Sequence, residues 1–497
     1  MKNLKVFLKE NINEYKIQLT PDELKHFKVA IELNKQVNKK FPTINTALVG
    51  GACRDLILRY FTQNNTKTVN DLDFVIYKNT GVGLNDKELR DVMDFINTIP
   101  DFSVVDEIKF LHLKIIHRPT SYEIEYTSLR KEMYRDLSRK PETTVGQMED
   151  DYSRRDFTIN AVFLDIKNIV GNDLYVKPSN KKSEESILDI QNKILRTTTE
   201  DPNQVFDEDS LRLLRAVRFS KDYKMDDKLK KAVDEYPSEK LLTQVSKERI
   251  ADELGKILEK GDVDYLIKSG FIKKIMSEFS DFDDKEYKDA ELQHIIDVIK
   301  VAREKAPKDR QLTFLLTALF HDIGKGSTGT YSSEKERWQF LGHEEESSKK
   351  AEEIMKRYKF SNPLVRDVSN LVNQHMVTKF FDKVPDKTII KWILVYDNQQ
   401  KYPDLIENAL IFNTIDWGGK SPEWREKNKD MIKNEREIAK KVLYLRDEIR
   451  KIKSQYKDEL SAISTEIGKD KHIPPNSKSG AILKRHANFI LSKLKNS

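Results

Sequence analysis

The chain has 497 residues, 34% of them charged and 38% hydrophobic, with 88 basic against 82 acidic side chains. That length exceeds what one hydrophobic core organises, so roughly two to four domains are expected; the single cysteine, Cys53, excludes an internal disulfide framework and fits a reducing compartment. A mean hydropathy of −0.66 and a most apolar window of only 314–320 exclude a membrane-spanning helix, and a pI near 8.8 permits a polyanionic partner without requiring one. Charges interrupt every apolar run near the start, so no signal peptide is read there and the expectation is a cytoplasmic protein with no membrane partner.

Residues 1–20 form a polar lead-in. Leu24, Phe27, Ile31, Leu33 and Val37 then recur at helical spacing behind Pro21 and predict an amphipathic helix over 21–40. A short apolar run, 47–49, meets Gly50-Gly51, and Arg54-Asp55 opens a second helix carrying Leu56, Ile57 and Tyr60. Glycines let a backbone approach an anion and leave N–H groups free at a helix start. A further extended run carries Asp71 and Asp73 two apart, which on a strand aims both carboxylates at one spot. Such a pair suits Mg²⁺, which takes oxygen ligands and shares its coordination with substrate phosphates. Gly-Gly alone marks only a turn, and D-x-D is common in Asx turns. Their order and separation point to nucleotidyl transfer, the in-line attack of a hydroxyl on an α-phosphate.

A helix over 86–99 and strands over 110–116 and 122–126 predict a mixed sheet with flanking helices. His112 and His117 flank the first of those strands and read as structural, while Glu123 or Glu125 could supply a third carboxylate. The basic run from Arg130 precedes a turn-prone stretch, 141–146, and reads as a solvated loop. Arg154, Arg155 and Asp156 read as a helix start, setting guanidinium forks beside a triphosphate and Asp156 on a ribose hydroxyl or an arginine. A helix N-terminus favours acids, so a double arginine there carries a cost that argues for function. Asp209 and Arg212, three apart, share a face of one predicted helix with the stripe Leu211, Leu214 and Val217. The ordinary reading is an intrahelical ion pair. The functional one is a template: a carboxylate acceptor beside a guanidinium donor matches the amino and ring-nitrogen edge shared by cytosine and adenine and mismatches guanine and uracil.

GGACRD (50–55), DLD (71–73), RRDFTINA (154–161), FDEDSLRLLRAVRF (206–219) and KERIADEL (247–254) resemble, in order and spacing, the class II, bacterial-type tRNA nucleotidyltransferase and poly(A) polymerase family over roughly 20–260. The resemblance implies an α+β fold: a polymerase-β-like head of mixed sheet and helices over 1–165, then an all-α neck and body over 166–285 for nucleotide selection and RNA binding. It implies template-independent addition of C, C and A to the tRNA 3′ end from CTP and ATP with Mg²⁺. Position by position, Asp71 and Asp73 would bind the catalytic metals, with Glu125 beside them, and Gly50, Gly51 and Arg54 would hold the triphosphate. Arg154, Arg155, Asp156 and Asn160 would contact the nucleotide, Asp209, Arg212, Arg215 and Arg218 would serve the base pocket, and Glu248 and Arg249 would support it. Cys53 stands where the family pattern has Val, a small buried position a free thiol can fill without a chemical role.

Further along, His294, His321-Asp322 in HDIGKG with Lys325, His343, His375 and Asp416 resemble, in order, the metal-dependent HD phosphohydrolase domain, here over 286–425. Imidazoles and carboxylates from separate helices can converge on divalent ions of the Ni²⁺, Mn²⁺ or Co²⁺ class, or on Mg²⁺. The resemblance implies phosphatase, 2′-nucleotidase or 2′,3′-cyclic phosphodiesterase activity that would trim damaged 3′ ends. A vestigial HD domain that merely holds tRNA is the competing reading. Residues 426–497 read as a charged helical tail, one long amphipathic helix or short coiled coil over 432–456 and a last helix over 487–494, touching tRNA or a second subunit, with His472 and His486 on the surface. The whole would be a monomer or homodimer; a poly(A) polymerase with the same head, or an RNA-binding adaptor without catalysis, are the alternatives.

Overall fold

The computed structural model describes residues 14–64, 68–69, 71–105, 111–133, 142–470 and 472–496. The lead-in over 1–13, Phe110 and most of the basic loop read over 130–140 lie outside the described residues. The chain divides into two units, 1–245 and 246–497.

In the first unit, strand β1 (Tyr15–Gln18) leads to helix α1 (Pro21–Lys40). Thr20 caps α1: its hydroxyl accepts the Glu23 N–H, the Glu23 carboxylate accepts the Thr20 N–H, and Pro21 occupies the first turn. β2 (Ile44–Val49) runs into α2 (Gly51–Thr62), and Arg59 of α2 reaches back to Glu23 with a bidentate ion pair at 2.7 and 2.8 Å, buried at both ends. There follow β3 (Leu72–Lys78), α3 (Asp86–Thr98), β4 (Phe102–Val104), β5 (His112–His117), β6 (Tyr122–Ser128), the small pair β7 (Arg130–Met133) and β8 (Glu142–Val145), α4 (Met148–Ser153), β9 (Phe163–Val170) and β10 (Asp173–Pro178). Eight strands form one mixed sheet, ordered β1-β10-β9-β2-β3-β6-β5-β4, in which only β3 and β6 run parallel. The crossover that a parallel pair needs is supplied by α3, β4 and β5. The β9–β10 hairpin carries this sheet to Pro178, past the 165/166 boundary read from the sequence.

Helices α5 (Lys181–Asn192), α6 (Pro202–Glu208), α7 (Leu211–Phe219), α8 (Asp227–Glu235) and α9 (Ser238–Gln244) complete the unit, with the two-residue parallel strands β11 (Ile194–Leu195) and β12 (Lys224–Met225). The predicted single helix over Asp209 and Arg212 is in fact two. Asp209 leaves helical geometry at φ −151°, and its carboxylate accepts the N–H of Leu211, so α6 ends and α7 begins across it.

Among the described residues the second unit is helical apart from one hairpin. Its helices include α10 (Lys247–Lys260), α11 (Val263–Lys268), α12 (Lys288–Lys305), α13 (Gln311–Phe320) and α14 (Lys325–Thr328), followed by the antiparallel strands β13 (Thr330–Ser332) and β14 (Arg337–Gln339). After these come α15 (His343–Arg357), α16 (Asn362–Gln374), α17 (Val377–Phe381), α18 (Asp386–Tyr396), α19 (Leu405–Gly418), α20 (Pro422–Lys427), α21 (Lys429–Gln455), α22 (Lys457–Lys469) and α23 (Lys478–Asn496). The charged tail is anchored: Ile438, Val442, Leu445, Ile449 and Ile452 of α21 share a core with Ile389, Ile390 and Ile393 of α18 and Leu405, Ile406 and Ala409 of α19, and α23 adds Ala487 and Ile490. His486, read as a surface residue, is half-buried and bonded to Ser464 Oγ and the Leu460 carbonyl.

Because Ile449 is fully buried in that shared core, Ile449→Ala should cost about 2–5 kcal/mol. Calorimetry of the intact chain would read this as a lowered unfolding temperature; an unchanged trace would mean that α21 is not packed on α18 and α19.

Candidate functional site

In the first unit the turn between β2 and α2 sets the geometry. Gly50 sits at φ +78°, a conformation that L side chains rarely adopt, and a Cβ there would come within 3.4 Å of Asp73 Oδ2. The parallel register places Glu125 of β6 directly beside Asp73 of β3. Burial, then Glu125, and in lesser part Asp71, push the Asp73 pKa up to about 6. Three carboxylates drawn this close in a partly buried pocket repel one another, which is the electrostatic character of a cation site with oxygen donors. Asp71 is exposed and lies one residue ahead of β3, not on the strand as expected. His112, read as structural, holds Glu125 Oε2 at 3.1 Å and so touches the site.

A layer of arginines belongs to the same unit. Arg54 grips Asp55 through Nε (2.9 Å) and Nη2 (3.1 Å) and donates from Nη1 to Asn160 Oδ1 at 2.7 Å. Arg154 and Arg155 close on the two oxygens of one buried carboxylate, Asp151, at 2.6–3.0 Å. Burial would raise the Asp151 pKa, but Arg155 and Arg154 outweigh it and hold the carboxyl below the usual range. The expected placement of these arginines at a helix start is corrected here: they follow the C-terminus of α4, where cations are favoured, so the argument from local cost falls away. Asp156 is buried and takes an arginine, with Arg215 Nε at 2.6 Å, and also accepts from Asn160 Nδ2 and the Phe157 N–H. Arg54, Arg215 and Arg218 all lie against the Phe219 ring, at 5.2, 5.8 and 4.2 Å from its centroid.

The Arg212 backbone N–H donates to the Asp209 carbonyl at 3.0 Å, while its side chain reaches elsewhere. Its guanidinium donates to Glu208 Oε2 at 2.8 Å, to the Val205 carbonyl and to the Arg154 carbonyl, tying α6 and α7 to the arginine layer. Asp151, His112 and Phe219 escaped the sequence reading. Asp151 carried a local signal, since it precedes Arg154 and Arg155 by three and four residues; the other two are joined to the site only by the fold. Glu248 and Arg249 start α10 in the second unit, where Glu248 pairs with Lys359 at 2.8 Å.

The second unit brings all six expected ligand positions together. His294 lies on α12, His321-Asp322 follow α13, His343 begins α15, His375 follows α16 and Asp416 lies near the end of α19, every one of them buried. The Nδ1 atoms of His321, His343 and His375 face the carbonyls of Ala318, Phe340 and Val372, each three residues back, at 2.7–2.9 Å, and His294 Nδ1 faces the Gly419 carbonyl at 3.3 Å. A carbonyl only accepts, so Nδ1 carries a proton and Nε2 is the nitrogen that each ring turns toward the cluster, the orientation that suits metal ligation.

Two trios result: His294, His321 and Asp322, and Asp322, His343 and His375, each with ligand atoms within 4.8 Å of one another and with Asp322 common to both. Asp416 Oδ1 lies 2.8 Å from His294 Nε2, yet it is buried with no hydrogen-bond donor, because that nitrogen already accepts from Lys420 Nζ at 2.7 Å. Burial opposes charge on His321, but Asp322 and Asp416 outweigh it and push its pKa up to about 9, whereas burial takes His375 down to about 3. The cluster thus demands positive charge around Asp322 and Asp416, and a pair of divalent ions fits that demand. Lys325 donates to Asp322 and Glu291, both at 2.8 Å. Lys420, one turn beyond Asp416, had an i, i+4 signal that the sequence reading did not use.

Comparison with known proteins matches segments of both units. Residues 46–176 match the poly A polymerase head domain, 222–282 the probable RNA and SrmB-binding site of polymerase A, and 292–454 the HD domain. The chain therefore joins a head of the poly A polymerase family to an HD domain, the latter extending into the tail read over 426–497. Among curated relatives, the CCA-adding enzyme of Pediococcus pentosaceus is 36% identical over 29% of this chain and 34% of its own length. The tRNA nucleotidyltransferase of Schizosaccharomyces pombe is 29% identical over 44% of each chain. This chain spans about half or less of the curated relatives it matches. Solved structures share the fold: a Thermotoga maritima CCA-adding enzyme complexed with tRNA (TM-score 0.51, 16% identity, 88% of this chain and 87% of that one) and a CCA-adding enzyme with CTP (0.53, 17%, 97% and 96%). Among the described residues no helix is long and apolar enough to cross a membrane.

Asp151→Asn should leave two guanidinium groups without their shared anion and cost about 3–5 kcal/mol at neutral pH. The Asp151 carboxyl is held below its unfolded value, so its contribution is complete above about pH 3.9 and fades as pH falls through the lower folded value. Thermal melts of both forms should therefore show a gap that narrows in acid; a gap independent of pH would detach the effect from this ion pair.

Proposed function

We propose that the chain is a template-independent tRNA nucleotidyltransferase that adds C, C and A to the tRNA 3′ end from CTP and ATP. The observation that carries this is the register of Asp73 with Glu125, beside Asp71 and the Gly50 turn, in the unit that holds the arginine layer. Asp71, Asp73 and Glu125 would hold Mg²⁺, which supplies charge neutralisation at the attacking and leaving oxygens. The Gly50-Gly51 backbone lets the triphosphate approach, Arg54 and Asp151-anchored Arg154 and Arg155 neutralise and orient it, and Asp156 fixes Arg215. The RNA 3′ hydroxyl loses its proton to solvent as its oxygen bonds to the α-phosphorus, the bond to the bridging oxygen breaks, and pyrophosphate leaves. Asp209 and Arg212 would read the base edge, Arg212 exchanging its bond to the Arg154 carbonyl for the base. Residues up to Pro178 form the head, and the helices from α5 on serve as neck and body.

The second unit is a metal-dependent phosphohydrolase on this reading. His294, His321, Asp322, His343, His375 and Asp416 would hold a pair of divalent ions, which lower the pKa of bound water and polarise phosphoryl oxygens. Lys325 and Lys420 supply positive charge beside the phosphate. In hydrolysis of a 2′,3′-cyclic phosphate, water adds to phosphorus, one ribose P–O bond breaks, and the freed ribose oxygen takes the proton.

With a tRNA transcript lacking its 3′ terminus, CTP, ATP and Mg²⁺, addition should stop after C-C-A, and Asp73→Asn should reduce it by at least about 100-fold. A long A tail from ATP alone would move the head to poly(A) polymerase, and retained addition by Asp73→Asn would overturn the site. Asp322→Asn should leave addition intact and abolish hydrolysis of a 2′,3′-cyclic phosphate; loss of neither activity would remove the HD centre from catalysis.

A further inference from the structure

Between Asp322 and His343 the second unit carries the β13–β14 hairpin. Its apolar side chains are aromatic and are passed ring to ring from the metal-ligand cluster outward. Lys325, bonded to Asp322 at 2.8 Å, lies 5.2 Å from the Phe340 ring; Phe340 lies 4.9 Å from Tyr287, Tyr287 4.8 Å from Trp338, and Trp338 5.6 Å from Tyr331. The Phe340 carbonyl also fixes the ring of His343. The outer face of this chain of rings is open: Tyr331 is 55% exposed, and Leu341, two residues before His343, is 79% exposed.

Tyr331 and Leu341 thus leave apolar surface open on the segment whose rings lead, through Trp338, Tyr287 and Phe340, to Lys325 at the ligand cluster. The loop joining the strands, Glu334, Lys335 and Glu336, with Arg337 at the start of β14, carries two acids and two bases. It therefore offers no net charge to follow a phosphodiester backbone, and the cations beside the ligand cluster are Lys325 and Lys420. A ligand matched to this arrangement has one phosphate at the cluster and one flat apolar group beyond it.

We infer that the hairpin is a base-stacking platform which restricts the HD centre to phosphorylated ribonucleosides, the base lying on Leu341 and the Trp338–Tyr331 pair while the ribose phosphate reaches the ligand cluster. This rests on the phosphohydrolase reading above. The same chemistry is offered by a free nucleotide and by the last nucleotide of an RNA; the neutral hairpin tip gives neither source an added backbone grip.

The test uses the intact, metal-loaded chain with adenosine 2′,3′-cyclic phosphate, its base-free methyl riboside counterpart and an oligoribonucleotide ending in the same cyclic phosphate. Tyr331→Ala/Leu341→Ser removes two exposed side chains and so spares the core. The ratio of kcat/KM for the adenosine ester to that for the base-free ester should fall about tenfold, through KM, and Trp338→Ala should lower it further while Trp338→Phe restores much of it. Loss with the mononucleotide, with the oligonucleotide or with both supports the platform and identifies its source; an unchanged ratio with both overturns it. If the wild-type chain hydrolyses none of the three, the phosphohydrolase reading fails. Calorimetric binding of adenosine 2′,3′-cyclic phosphate then judges the platform alone, tenfold weaker binding by the double variant upholding it and equal binding refuting it.

Discussion

Asp151 is the interaction on which the head's charge arrangement depends. Two adjacent arginines repel one another, and neither would present a fixed fork without an anion between them. A fully buried carboxylate at 2.6–3.0 Å from both gives each guanidinium an anchored edge. The consequences spread outward: the Arg154 carbonyl takes Arg212, the Asn160 carbonyl takes Arg155, and Asn160 itself joins Arg54 to Asp156. A set of guanidinium groups is thereby held in fixed orientation in the same unit as the strands that carry Asp73 and Glu125.

The second unit solves the inverse problem. There the anions come first: Asp322 and Asp416 are buried where isolated carboxylates are costly, and the side chains facing them are four imidazoles whose outer nitrogens are committed to backbone carbonyls. Three of those carbonyls are the i−3 neighbours of the histidines, so ring orientation is settled locally, while convergence is settled by helix packing. Lys325 and Lys420 offset part of the negative charge from the rim, and the orphaned Asp416 oxygen shows that they do not offset all of it.

Much of this was legible in the chain. Pro21 behind Thr20 fixes the start of α1, the Gly50 turn lies between a strand and a helix, and the HD ligands keep their order because they lie on, or directly after, successive helices of the second unit. What was not legible depends on partners far apart in sequence: His112 with Glu125 across a strand pair, Phe219 beneath Arg54, and Glu23 bonded to Arg59. The misplacement of Arg154 and Arg155 has a different cause. Helix α4 is only six residues long and too polar to show a period, so its end was taken for a beginning. The break at Asp209 was hidden likewise, because an apolar stripe continues through it while the backbone does not.

The two donor sets also separate the chemistry of the two units. The head offers carboxylate oxygens alone, a hard set suited to an ion that keeps its waters and shares substrate phosphates. The HD cluster offers four imidazole nitrogens and two carboxylates, a mixed set that favours borderline transition metals over magnesium. In the head, His112, an imidazole beside the carboxylates, is engaged with Glu125 Oε2 through Nε2 at 3.1 Å, so the donors facing a cation there are the carboxylate oxygens.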